Sequence, residues 1–312
     1  MKQLITAERF CLAAHIAAMV FGLAGLLLVL PHPELILRLP TVGQRLFQLS
    51  MAGGGVVYIL LGAAAVAIHG YRNLGLRHLL SFIIPAVFLS LSSELLGTRT
   101  GFPFGHYAYL SGLGYKIAGL VPYTIPLSWF YLGLSAYLLA YAGLSARRVL
   151  QNQALGWNIR ISAIFIGAVL LTSWDFVLDP AMSQTAFPFW EWKQPGAFFG
   201  MPYQNFAGWV GTGMVFMGVA DFFWGNQIKG LNRSQLKLPL TVYITNFGFA
   251  AIMSLAAGIN IPVFLGIVSG LAPAMILWWM TPKTIVLPSE VFQANEEEVL
   301  AIPAVPLGAV HK

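Results

Sequence analysis

Three acidic residues lie in or directly against apolar stretches long enough to cross a lipid bilayer: Glu94, Asp175 and Asp179. A carboxylate at that depth costs about 3 kcal/mol on insertion scales, so it is usually retained for a function. The spacing of Asp175 and Asp179 puts them on one face of a helix, about 6 Å apart. In an apolar site the two carboxyl groups cannot easily be ionised at the same time, so one of them keeps a proton that it can donate. In the structural alternative, Asp179 closes the helix before Pro180 and Asp175 pairs with a neighbouring side chain.

Glu94 has two interpretations. Arg99 is close enough in sequence to form a salt bridge with it, which gives the acid a structural role. If the helix ends at Gly97 and Arg99 turns away, Glu94 faces the same pocket as the two aspartates. In the following connection, His106 and Tyr107 are candidates to relay protons or hold water, although a single histidine near a membrane interface is more often simply hydrogen-bonded.

Aromatic residues crowd both segments that contain the acids, residues 92–109 and 172–209. In Trp190-Glu191-Trp192 an extended backbone places the two indoles on one side and Glu191 on the other. Such tryptophans suit an interfacial aromatic belt, and their π faces also suit a cation, at about 0.5 to 2 kcal/mol per ring. We interpret the two segments as two halves of one site.

The motifs of several cofactor-dependent enzymes are absent from the sequence. There is no P-loop, Rossmann fingerprint, CxxC pair, HExxH or GxSxG elbow, and the six histidines are not clustered. The single cysteine, Cys11, excludes an intramolecular disulfide. These absences disfavour cofactor-dependent reactions and leave acid–base chemistry with water or a simple ion. We therefore expect neither a cofactor nor a resident metal.

The elements that position these residues are predicted to be membrane helices. Hydrophobic residues make up 58% of the 312 residues and charged residues only 9%, and the mean hydropathy is +0.75, which excludes an ordinary soluble fold. The formal charge of +6 is spread singly or in pairs, so nucleic acid is not an expected partner. We predict an all-α, polytopic bundle of about eight helices at residues 10–30, 51–69, 79–97, 123–143, 160–178, 206–225, 240–258 and 260–280. The turn inside the last pair could instead be re-entrant.

The distribution of basic residues predicts that both termini are cytoplasmic. With the N-terminus inside, five of the 17 lysines and arginines lie outside, namely Arg38, Arg45, Arg99, Lys116 and Lys193. Glu94, Asp175 and Asp179 then share the non-cytoplasmic face. The sequence leaves open whether the membrane is a plasma or a thylakoid membrane. Asp221 lies near the cytoplasmic end of its helix and is predicted to pair with Lys229 or a lipid headgroup.

Outside the spans, two connections and a tail have distinctive compositions. Residues 98–122 and 179–205 are long, aromatic and poor in charge, so we predict re-entrant or interfacial loops. Residues 1–282 form the predicted transmembrane domain, and residues 283–312 a cytoplasmic, mostly disordered tail. The run Gly53-Gly54-Gly55 suits close helix packing or, alternatively, a smooth groove for a long apolar ligand.

An ordered series of motifs is more specific than any one of them. The series is Glu94, Thr100 to Tyr109 (TGFPFGHYAY), Leu178-Asp179-Pro180, Trp190-Glu-Trp192, Phe199 to Pro202 (FGMP) and Asn205 to Trp209 (NFAGW). Over about residues 50–280 it resembles the membrane carotenoid-biosynthesis family that includes the CruF-type carotenoid 1,2-hydratases. The resemblance implies an enzyme that adds water to the terminal double bond of an acyclic ψ end group, as in γ-carotene, lycopene or bacterioruberin synthesis. The implied partners are a carotenoid in the lipid phase, water, membrane lipids and other enzymes of the carotenoid pathway.

Hydration of such an alkene needs a proton donor, a tolerated tertiary carbocation and one water. As hypotheses, Asp175 or Asp179 donates the proton while the other balances charge, and Glu94 orients the water. The remaining candidates for substrate binding are Tyr107, Trp174, Trp190, Glu191, Trp192, Tyr203, Asn205 and Trp209, with Arg99 and His106 as charge partners.

Two other functions stay open from the sequence. Asp175-xxx-Asp179 matches the aspartate spacing of one motif of Mg²⁺-dependent intramembrane prenyltransferases, although the usual second Asp-rich motif is missing. A proton-coupled transporter or a non-catalytic carotenoid-binding protein would use the same acids at a cavity, but no inverted repeat is evident.

Overall fold

The computed structural model describes residues 1–151, 153–185, 187–225 and 230–284. Most of these residues lie in helices. The helices are α1 (Lys2–Ala24), α2 (Pro33–Leu37), α3 (Thr41–Leu74), α4 (Leu76–Thr100), α5 (Thr124–Leu150), α6 (Trp157–Ser183), α7 (Tyr203–Trp224), α8 (Lys237–Ala256), α9 (Asn260–Gly266) and α10 (Ala272–Met280). A π-helical segment, Gly25–Val29, continues α1, and another, Ile267–Leu271, joins α9 to α10. Four short strands lie in the connections: β1 (Tyr107–Tyr109), β2 (Lys116–Ile117), β3 (Val121–Pro122) and β4 (Trp190–Trp192).

Within the described residues, 8 helical segments are long and apolar enough to cross a membrane. This confirms the predicted all-α polytopic bundle. The last two segments, Lys237–Ala256 and Asn260–Met280, have 20 and 21 residues, so each is long enough to span. The predicted tail after residue 284 lies outside the described residues.

Helix α5 forms the centre of the bundle. It packs against α3, α4, α6, α8 and α10, and almost every side chain along it is buried. Large aromatic side chains such as Tyr131 and Tyr137 fill the space around it. Helix α1, in contrast, lies at the periphery and packs mainly on α3.

A buried ion pair joins α6 and α7 at the end of the bundle opposite Glu94 and Asp179. Asp221 accepts hydrogen bonds from Arg160 at 2.7 Å and from the hydroxyl of Tyr137 at 2.8 Å. Asp221 faces α5 and α6 rather than the end of its own helix and is buried, so its predicted pairing with a headgroup is wrong. Lys229 itself lies outside the described residues.

The connection between α4 and α5 pairs with the connection between α6 and α7. Strands β1 and β4 are antiparallel, with Tyr107 opposite Trp192 and Tyr109 opposite Trp190. The amide of Lys193 donates to the carbonyl of His106 at 2.8 Å and extends the ladder. The two aromatic segments of the sequence are therefore brought together over one end of the bundle.

Candidate active site

The three membrane acids line one cavity beneath the β1–β4 pair. Its volume is about 70 Å³, enough for a few water molecules. The cavity contains nine of the predicted site residues, which are Glu94, Tyr107, Trp174, Asp175, Asp179, Trp190, Trp192, Asn205 and Trp209. Helices α4, α6 and α7 and both connections each contribute to it, so the site exists only in the folded bundle.

Asp179 accepts three hydrogen bonds and is 3% exposed. Its Oδ1 accepts from Nε1 of Trp192 at 2.8 Å and from the hydroxyl of Ser183 at 3.1 Å. Its Oδ2 accepts from Nε1 of Trp190 at 3.3 Å. Because each donor is neutral and each oxygen accepts, this arrangement suits an ionised carboxylate.

The sequence predicted that α6 ends at Asp179, and this prediction is wrong. The helix continues through Pro180 to Ser183, so Asp175 and Asp179 stay on the same helix. Proline lacks one backbone donor, but the helix resumes beyond it, and the backbone of Gln184 donates to the carbonyl of Pro180 at 3.0 Å. The continued turn also places Ser183 four residues after Asp179, within reach of its carboxylate.

Asp175 has a different environment from Asp179, although it is equally buried. Its Oδ2 accepts one hydrogen bond, from Nδ2 of Asn205 at 2.7 Å. Among the described residues no side chain donates to its Oδ1. A carboxyl group with one neutral donor and a second acid four residues away suits the protonated form.

Glu94 is also 3% exposed and accepts three hydrogen bonds. The hydroxyls of Tyr107 and Tyr109 donate to Oε2, the latter at 2.9 Å, and Nε1 of Trp129 donates to Oε1 at 2.9 Å. Burial, reinforced by the Glu94 carboxylate, raises the pKa of both tyrosine hydroxyls well above its ordinary value, so both keep their protons and remain donors.

Arg99 is not the partner of Glu94, and that prediction is wrong. Its side chain is exposed beyond the buried turn that carries Glu94. The two side chains are five positions apart along α4, which turns them to different faces of the helix. Neutral donors from β1 and α5 take the place of a salt bridge.

Aromatic rings form the wall between the acids. Trp129 and Trp209 stack with their ring centroids 4.0 Å apart, and Trp174 meets Trp209 edge-on at 6.0 Å. Nε1 of Trp174 is buried and has no hydrogen-bond partner among the described residues. A buried indole N–H without an acceptor is uncommon, and the Trp174 side chain lines the acid cavity.

Residues 54–273 match the family described as "Carotenoid biosynthesis protein". The chain belongs to this carotenoid biosynthesis family. The resemblance noted in the sequence is thus confirmed, and the matched range contains all three cavity acids. A relative from Haloarcula japonica, named "Bisanhydrobacterioruberin hydratase", is 32% identical over 235 residues, which are 75% of this chain and 71% of the relative. No solved structure matches the chain.

Four predicted site residues of this carotenoid biosynthesis protein lie away from the cavity. Glu191 points outward from β4 and pairs with Lys193, as strand alternation predicts. Tyr203 is 64% exposed. The side chains of His106 and Arg99 are exposed as well. The backbone carbonyl of His106, rather than its side chain, has a structural role, because it accepts a hydrogen bond in the β1–β4 ladder.

Sequence reasoning missed three residues that hold the acids: Tyr109, Trp129 and Ser183. Tyr109 lies two residues after Tyr107, so the same face of a strand was a usable signal. Ser183 lies four residues after Asp179, on one face of a longer helix. Trp129 had no local signal, because only the packing of α5 against α4 brings it to Glu94.

Proposed function

We propose that this protein is a carotenoid hydratase. It adds one water across the terminal C=C bond of an acyclic ψ end group, as in γ-carotene or lycopene, and forms a tertiary alcohol without a cofactor. Support comes from the family, from the name of the 32% identical relative and from the cavity. The observation that carries the proposal is the unequal hydrogen bonding of the three acids: one donor reaches Asp175, while three reach each of Asp179 and Glu94.

Asp175 is the proton donor in this scheme. The π electrons of the end-group double bond form a new C–H bond with its proton, and the carbon that bears the two methyl groups becomes a tertiary cation. Water then forms a C–O bond to this carbon. The water gives up a proton to Glu94, and transfer of that proton through cavity water back to Asp175 restores the starting state.

The cavity can stabilise the cation and hold the water. Asp179 and the rings of Trp129 and Trp209 line this cavity, where a carboxylate and π electrons can stabilise a developing positive charge. Nε1 of Trp174 is free to donate to the oxygen of the incoming water or of the product alcohol. Each group thus has a task in the hydration of an alkene.

The donor set favours this chemistry over Mg²⁺-dependent prenyl transfer. Among the described residues, no group of three His, Cys, Asp or Glu side chains is arranged to hold a metal ion. The oxygens of Glu94 and Asp179 face N–H and O–H donors, whereas a divalent cation needs them as ligands.

Expression in a host that makes lycopene or γ-carotene tests the function. We expect the pigment to gain the mass of one water, to take its oxygen from H₂¹⁸O, and to form equally well in membranes treated with EDTA. Pigment that co-purifies with unchanged mass would instead indicate a binding protein. Activity that requires a prenyl diphosphate and is lost in EDTA would indicate the prenyltransferase.

We also infer that both termini are cytoplasmic and that the acid cavity opens near the other face. Support comes from the bias of the basic residues and from the even number, 8, of candidate spans among the described residues. The carotenoid then reaches the site from the lipid phase while water reaches it from the non-cytoplasmic side.

A further inference from the structure

A lateral groove lies between α1 and α3, next to the acid cavity. Its volume is about 470 Å³, and its lining is almost entirely apolar. Three residues, Tyr58, Phe189 and Phe249, line both the groove and the acid cavity. The rings of Tyr58 and Phe249 stack at this junction with their centroids 5.9 Å apart. The two spaces are therefore neighbours that share one aromatic wall.

The shape of the groove suits a long, thin chain. On α3 its lining runs from Leu46 to Tyr58, a distance of about 18 Å along a helix. A side-chain carbon added at Gly25 or Gly53 would meet nothing within 4 Å, so both glycines border open space. Gly55 is different, because a carbon there would collide with the carbonyl of Gly112. Its lack of a side chain serves packing rather than the groove.

We propose that this groove binds the polyene chain of the carotenoid while the end group occupies the acid cavity. The inference rests on the proposed function, since it names where the rest of that substrate lies. The small acid cavity cannot hold a whole carotenoid, so the polyene chain must extend out of the cavity through one of its walls. The shared wall of Tyr58, Phe189 and Phe249 marks that side, and rotation of one of these rings opens the passage.

A second lipid-facing groove provides the contrast. It lies between α4 and α7, has a volume of about 520 Å³ and shares no lining residue with the acid cavity. Pro103 and Phe104 separate the two, because they pack closely against Gly208 on α7. This groove contains Gly211, where an added carbon also meets nothing within 4 Å. Gly211 is thus a matched control for Gly53.

The test compares Gly53→Phe with Gly211→Phe. Both substitutions place a large side chain in an open groove and improve helix propensity, so both variants should fold. The amount of co-purified carotenoid is measured first. Hydration is then measured with the full-length acyclic carotenoid and with a short acyclic isoprenoid that has the same end group.

We expect Gly53→Phe to lose at least about tenfold in bound carotenoid and in hydration of the long substrate. It should keep wild-type activity on the short isoprenoid. Gly211→Phe should keep wild-type carotenoid binding and wild-type hydration of both substrates. Normal hydration of the long carotenoid by Gly53→Phe would overturn the proposal, as would an equal loss of both substrates. Loss of bound phospholipid with carotenoid unchanged would assign the groove to a lipid and also overturn it.

Failure of the proposed function has a different signature. In that case the wild-type protein leaves the carotenoid unhydrated, whereas the amount of pigment bound by Gly53→Phe still reports on the groove.

Discussion

Asp175, Asp179 and Glu94 share one cavity but differ in the number of donors that each carboxyl group accepts. The number of donors can distinguish chemically similar groups, because hydrogen bonds donated to a carboxylate favour its ionised form, and a carboxyl group with a single donor gains less from them. The aspartates were identifiable in the sequence by their depth in an apolar run. Their separate roles were not, since the deciding donors come from β4, α7 and the end of α6.

Replacing Trp174 by phenylalanine tests the proposed role of its indole N–H. Trp174→Phe removes a donor that has no partner among the described residues, so the free energy of unfolding should change little. Hydration should fall about 10- to 100-fold, because the water or the alcohol loses a hydrogen bond. Rates of alcohol formation and thermal melting of the purified variant measure the two effects.

Trp190→Phe is the matched comparison for Trp174→Phe. It removes a hydrogen bond to Asp179, so it should lower both the melting temperature and the activity. Trp174→Phe with wild-type activity would contradict the role given to its N–H.

At the scale of elements, the pairing of β1 with β4 joins the acids of α4 and α6. Tyr107 and Tyr109 reach Glu94 from β1, while Trp190 and Trp192 reach Asp179 from β4. The aromatic composition of both segments was visible in the sequence and predicted one shared site. The register was not visible, since a pairing between residues more than 80 positions apart depends on how four helices pack.

Cysteine cross-linking tests this register. Ala108 and Glu191 are opposite each other, and both lie between residues that face the cavity. Opposed residues of an antiparallel pair are about 5.5 Å apart at Cα, within the range of a disulfide. We therefore expect Ala108→Cys/Glu191→Cys to oxidise fully and to keep most of its activity.

The control pair, Ala108→Cys/Lys193→Cys, is displaced by two residues and should cross-link poorly. Gel mobility under non-reducing conditions, in a background without Cys11, distinguishes the pairs. Preferential cross-linking of the displaced pair would contradict the β1–β4 register.

At the scale of the whole molecule, hydropathy was sufficient to predict the architecture. A bilayer requires long apolar helices with internally satisfied backbones, so the 8 candidate spans among the described residues follow from composition alone. The helix ends were less predictable. Helix α5 was expected at residues 123–143 but continues to Leu150, because Arg147 and Arg148 end the apolar run without ending the helix.

Labelling of single cysteines tests the orientation of the molecule. Tyr115 is 79% exposed in the connection between α4 and α5, on the face inferred to be non-cytoplasmic. In a Cys11→Ala background, Tyr115→Cys should react with a membrane-impermeant maleimide in intact cells. Gln153→Cys, exposed between α5 and α6, should react only after permeabilisation. The reverse pattern would mean that the acid cavity faces the cytoplasm.

The proposed hydration begins when the Asp175 carboxyl group protonates the end group. The most direct measurement is the rate of alcohol formation by Asp175→Asn, with bound carotenoid as the check that the variant is folded. Asparagine keeps the size of the side chain and removes the transferable proton, so the rate should fall by at least about 10²- to 10⁴-fold while carotenoid still binds. Alcohol formation by Asp175→Asn at the wild-type rate would contradict the role of Asp175 as proton donor.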